Sequence, residues 1–138
     1  MSTIKEIQAE VVEEFAAFED WMDKYEYIIE RGKTMPVISE SRKNDSNLIK
    51  GCQSRVWLDT EYRDGKLFFT SDSDAIITKG IISLLIRVYN GRTPDEILDS
   101  DNDFIARIGL LENLSPTRAN GLVAMIDQIR ADAMKYKN

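Results

Sequence analysis

Histidine is absent from this chain, and cysteine occurs once, at Cys52. Without an imidazole, neither a Ser–His nor a Cys–His nucleophile can be assembled. A single thiol closes no internal disulfide, and one cysteine with no histidine leaves too few ligands for a zinc or iron–sulfur site built by this chain alone. A basic excess is missing too: 18 Lys and Arg stand against 24 Asp and Glu, giving a net charge of −6. No Lys/Arg cluster is visible to neutralise phosphates, so a nucleic-acid partner is not expected. There is no long apolar run either. The most apolar segment, residues 75–89, is broken by Lys79 and Arg87 and is too short to span a bilayer, which argues against a membrane partner. The first ten residues show no basic stretch leading into an apolar one, so no secretory signal is read and the expected location is the cytoplasm. Seven Gly and three Pro are too few for a fibrous or low-complexity chain.

What is there describes an ordinary globular protein. Of 138 residues, 43% are apolar and 30% charged, which suits a single domain over residues 1–138. A chain of this length buries roughly two-thirds of its unfolded surface, enough for one core.

Ile4, Ile7, Val11, Phe15 and Phe18 recur at three- and four-residue spacing, predicting a helix over 3–17 with Glu10, Glu13 and Glu14 outside. Trp21, Tyr25, Ile28 and Ile29 continue the period to a stop at Gly32. Residues 33–46 have neither helical nor strand period and read as a polar loop. From Ser54 the residues alternate as a strand to Arg63, Asp64-Gly65 supplies a two-residue turn, and residues 66–71 return. Pairing Arg63 with Lys66 puts Val56, Leu58, Tyr62, Leu67 and Phe69 on one face, which needs helices against it. Residues 71–74 offer N-caps to a central helix ending near Gly91, and Gly80 within it predicts close approach of another backbone. Thr93-Pro94-Asp95-Glu96 is a capping box, a short helix is expected over 104–108, and Ser115-Pro116 opens a last helix. That helix should bury Leu122, Met125, Ile126, Ile129 and Met134 along one face. The fold class is α+β: a small antiparallel sheet, hairpin 54–71 with a third strand allowed, packed against several helices.

Cys52 lies in Gly51-Cys52-Gln53-Ser54, a polar, loop-like stretch just before the first strand. Gly51 allows a positive φ, so the thiol can be tucked inward or swung outward. Two readings stand: a small buried hydrophobe, or a reactive thiol beside solvent.

The pattern resembles the SufE family of sulfur acceptors, which includes the related CsdE proteins. The resemblance covers nearly the whole length and rests on four blocks: Gly51-Cys52-Gln53-Ser54 with Val56-Trp57; Trp21, Lys24-Tyr25 and Ile28-Ile29 ahead of Gly32; Asp72-Ser73-Asp74-Ala75 leading to Lys79-Gly80; and Leu114-Ser115-Pro116 with Arg118 and Gly121. Met35-Pro36-Val37-Ile38 departs from the family's usual leucine–proline repeat. The resemblance implies a partner of a pyridoxal-phosphate cysteine desulfurase that takes persulfide sulfur onto Cys52 and passes it to an iron–sulfur assembly scaffold. It implies a sulfur-transfer partner rather than a stand-alone enzyme, with no cofactor of its own, since the pyridoxal phosphate belongs to the desulfurase. The implied fold is similar to that of the assembly scaffolds, although those use several cysteines. Monomer and homodimer are both compatible with it.

The chemistry needs no metal or histidine, only thiolate character, access to the donor and shelter for the product. Shelter is expected from the hairpin and the central helix. Arg118 is either a stabiliser of the thiolate or a helix residue paired with a surface acid. Asp74 is an N-cap acid or a chemical group. Gln53 and Ser54 support the site or satisfy loop backbone. The rival class is an interaction module that stimulates a partner while Cys52 stays inert, and a thiol peroxidase is weaker for want of a resolving cysteine.

Overall fold

The computed structural model describes residues 3–137. Thr3 caps the first helix, α1 (Ile4–Ala16), in a reciprocal box with Glu6, and Asp20 caps α2 (Trp21–Gly32) through the Asp23 N–H. Glu14 does not face water as its period predicted. Arg87 and Tyr27 both donate hydrogen bonds to its carboxylate, because the face of α1 that carries it packs toward the central helix.

Residues 33–55 reach the sheet through two short 3-10 turns, Glu40–Arg42 and Asp45–Asn47, where sequence period gave only loop. Met35 and Ile38 are buried, which fixes the path of the segment that departs from the family repeat.

Strand β1 (Val56–Arg63) pairs antiparallel with β2 (Lys66–Ser73) in the expected register, Arg63 opposite Lys66 and Leu58 opposite Ser71. Asp64 and Gly65 take φ of 55° and 80°, the left-handed pair that a twisted two-residue hairpin turn demands. Val56, Leu58, Leu67 and Phe69 are buried, but Tyr62 is 39% exposed and stacks on Tyr136 with ring centroids 5.0 Å apart. No full third strand forms among the described residues. Val37 bridges Ser71 on one edge and Leu48 bridges Trp57 on the other, one residue each.

β2 runs on to Ser73, so the 71–74 segment is spent on the sheet and its flanking loop rather than on capping. Ser71 donates to the Trp57 carbonyl, Asp72 pairs with Lys43 and Lys79, and Asp74 accepts from the Arg55 N–H. The N-cap of the central helix, α3 (Ile76–Tyr89), is Ala75 with no side-chain cap. Ile77, Ile81, Ile82, Leu84, Leu85, Ile86 and Val88 of α3 are buried, and the core gathers around them. A Cβ on Gly80 would lie 2.3 Å from the Ile28 carbonyl oxygen, and one on Gly32 would lie 2.9 Å from the Gly80 nitrogen, so the backbones of α2 and α3 touch.

Beyond the Thr93–Glu96 capping box come α4 (Pro94–Asp99), α5 (Asp103–Arg107) and a further turn, α6 (Leu110–Asn113), set off by Gly109 at φ 74°. The last helix, α7 (Pro116–Tyr136), starts at Ser115 as expected. It buries Ala133 rather than Met134, which is 61% exposed. Ala133 lies four residues past Ile129, about 40° round the helix, whereas Met134 is about 140° round. Among the described residues no helix is long and apolar enough to cross a membrane.

Candidate functional site

The segment carrying the cysteine is a loop, 50–55, closed at its base. Buried Ile49 donates its N–H to the carbonyl of buried Val56 at 2.9 Å. One residue before Val56, Arg55 and Asp74 hold each other. The Arg55 N–H donates to Asp74 Oδ1 at 3.0 Å, the Asp74 N–H donates to the Arg55 carbonyl at 3.2 Å, and Ser73 Oγ donates to that same carbonyl. Asp74 is thus a clamp on the loop's C-terminal end rather than a helix cap. Gly51 has φ 94°, and a Cβ there would sit 3.2 Å from the Ala124 Cβ. Both the backbone conformation and the close approach of α7 therefore require glycine.

Cys52 is half-buried. Its Sγ–H donates to the Gly121 carbonyl of α7 at 3.6 Å, a long contact suited to a weak sulfur donor. Gly121 itself is buried, and a Cβ on it would meet the sulfur at 3.5 Å. Burial pushes the Cys52 thiol up from its ordinary value, so at rest it holds its proton. Among the described residues no cation offsets that effect.

Beside the sulfur opens a cavity of about 360 Å³, lined by Gln53 and Ser54 of the loop, Thr78 and Ile81 of α3, the α7 N-cap Ser115, and Thr117, Arg118 and Met125 of α7. Shelter was expected from the hairpin and the central helix. The hairpin lines none of it, because the register that buries Val56 and Leu58 turns the sheet toward the core, and α7 takes its place. Arg118 is exposed, donates its backbone N–H to Ser115 Oγ, and makes no ion pair among the described residues. Cys52, Gln53, Ser54 and Arg118 thus meet at one cavity, with Gly51 behind against α7 and Asp74 outside on the clamp. Sequence reasoning missed Thr78, Ser115 and Thr117 as lining residues. A signal existed for Thr78: it is a hydroxyl in the first turn of a mostly apolar helix, close in sequence to Gly80.

A two-stranded hairpin packed among helices, with one cysteine on a closed loop between β1 and the last helix, defines an α+β protein whose fold is found elsewhere. A hypothetical protein from Thermus thermophilus, solved in solution, superposes with a TM-score of 0.77 over 94% of this chain and 95% of its own, at 20% identity. Residues 9–133 match the family model of SufE, the Fe-S metabolism associated domain, and the chain belongs to that family. It is 37% identical to an uncharacterized SufE-like protein of Rhizobium meliloti over 90% of this chain and 92% of the relative. A SufE-like protein of Synechocystis is 36% identical over 94% of this chain and 81% of its own length. The family ties the protein to iron–sulfur metabolism.

Proposed function

We propose that this protein accepts sulfur from a cysteine desulfurase and activates it, taking persulfide sulfur onto Cys52 and passing it to an iron–sulfur assembly scaffold in the cytoplasm. The observation that carries the reading is the half-buried Cys52 thiol, held against the Gly121 carbonyl at the edge of a polar cavity on a loop pinned at its base.

The transfer needs only sulfur chemistry. As the loop moves, Cys52 leaves the Gly121 carbonyl, gives its proton to solvent, and its thiolate attacks the terminal sulfur of the donor persulfide. The new bond forms between Cys52 Sγ and that sulfur. The donor's S–S bond breaks, and the donor cysteine leaves as a thiolate, so electrons balance with no external oxidant or reductant. The pyridoxal phosphate that frees the sulfur resides on the desulfurase. Gly51 supplies the hinge, the Arg55–Asp74 clamp limits how far the loop opens, and α3 and α7 shield the returning persulfide.

Intact mass after incubation with a pyridoxal-phosphate desulfurase and cysteine tests the reading. Wild type gains one sulfur atom, reversible by reductant. Cys52→Ser gains none and does not raise desulfurase turnover, since a serine hydroxyl is far less nucleophilic and no histidine is present to activate it. If Cys52→Ser stimulated the desulfurase as well as wild type, an allosteric interaction module would replace the acceptor.

A further inference from the structure

The cavity beside Cys52 is larger and more polar than one terminal sulfur requires. Thr78 lines it at 7% exposure, yet its hydroxyl takes part in none of the side-chain hydrogen bonds found among the described residues. Its oxygen is not sealed from solvent, so it opens on the cavity and is free to donate to an acceptor placed there. Arg118, without an ion pair among the described residues, lines the same space. It stands one turn before Gly121, whose carbonyl receives the thiol, so both line one end of α7. Ser115 and Thr117 add hydroxyls at the positive end of the 21-residue α7. Among the described residues no carboxylate lines the cavity, in a chain whose net charge is −6. Such a lining suits a small oxyanion. It offers no carboxylate to the ammonium group of an amino-acid persulfide.

We propose that this cavity takes thiosulfate, a small oxyanion with a transferable outer sulfur, and that Cys52 draws sulfur from it without a protein donor. The sulfonate oxygens sit on Arg118 and the Thr78 hydroxyl, which directs the outer sulfur toward Cys52. The Cys52 thiolate attacks that sulfur, and a bond forms to Sγ. The S–S bond of thiosulfate breaks with its electron pair going to the departing sulfite. One thiolate and one dianion become one perthiolate and one dianion, so charge and electrons balance. The inference rests on Cys52 as a sulfur acceptor and adds a second class of donor.

The experiment incubates the full chain with thiosulfate and follows sulfite release together with the intact mass of the protein. Release should be saturable, one equivalent per chain, and absent in Cys52→Ser. Arg118→Gln should raise the half-saturating concentration about tenfold, the effect of one charge-assisted contact. Thr78→Val, close in shape, should weaken half-saturation about threefold to tenfold through one lost hydrogen bond, with the melting temperature held. Release that rises linearly with thiosulfate and ignores both substitutions overturns the cavity assignment. Loading by desulfurase but not by thiosulfate overturns this inference and leaves the acceptor reading intact. Loading by neither overturns both.

Discussion

Removing the Asp74 side chain should make Cys52 more reactive without unfolding the protein. Asp74→Ala deletes the acceptor at 3.0 Å from the Arg55 N–H, while the Asp74 N–H and Ser73 Oγ still hold the Arg55 carbonyl. A hydrogen bond to a charged group contributes about 1.5–3 kcal/mol when shielded, and exposure of Asp74 reduces this to about 1 kcal/mol. At 1.4 kcal/mol per factor of ten, the open loop becomes about fivefold more populated. Alkylation by iodoacetamide, followed by intact mass under native conditions, should therefore quicken about fivefold. Asp74→Asn keeps an oxygen acceptor without the charge and should fall between. The pH profile supplies a second readout. The thiolate is the reactive form and burial pushes the wild-type thiol up, so the wild-type rate should rise with a midpoint above that of free cysteine. In Asp74→Ala that midpoint should move down. Equal rates and equal midpoints in wild type and Asp74→Ala, with unchanged stability, would refute the clamp.

Two further outcomes follow from the packing. The Arg87 hydrogen bond, with Tyr27 and nearby Arg31 assisting, holds the Glu14 carboxyl at about 2 against an ordinary 4.5. Its folded value lies below its unfolded one, so its stabilisation is present above about pH 4.5 and is lost as pH falls toward about 2. Solvent screening reduces the gain to about 1 kcal/mol. Glu14→Gln should melt lower at neutral pH, and the gap should close near pH 2; a gap constant over that range would count against the pair. Gly80→Ala gains about 1 kcal/mol of helix propensity but forces α2 off α3, for a net loss of about 2 kcal/mol and a fall in melting temperature of roughly 8 °C. An unchanged melting temperature would mean the two backbones are not in contact.

What could be read from sequence was what neighbours in the chain decide. Asp64-Gly65 fixed the hairpin register because turn and pairing lie within twenty residues, and the Thr93–Glu96 box announced its helix because both partners sit in one turn. Gly80 pointed to a backbone contact through its cost alone, though not to Ile28 as the partner. The failures are long-range. Glu14 was assigned to water by its own helix, whereas Arg87, 73 residues away, turns that face inward. Asp74 looked like a cap because caps are local, but the hydrogen bond it makes is with the backbone 19 residues earlier. Cys52, Gln53, Ser54 and Arg118 were all named from sequence, yet the wall they share with Thr78 and Ser115 depends on how α7 crosses α3. No periodicity encodes that crossing.

The closed base of the 50–55 loop limits travel. Cys52 is three residues from Ile49, and an extended chain spans at most about 3.3–3.6 Å per residue, so its backbone stays within about 10 Å of that anchor. A tether that short rules out ferrying. If Cys52 carries sulfur from one protein to another, giver and receiver must each come to the same small berth, and two folded proteins cannot occupy it together. Delivery then proceeds by turns: the giver departs before the receiver docks, and the loaded protein exists alone in between. Throughput is set by the exchange of partners rather than by the swing of the loop. An excess of idle giver should therefore slow delivery rather than speed it.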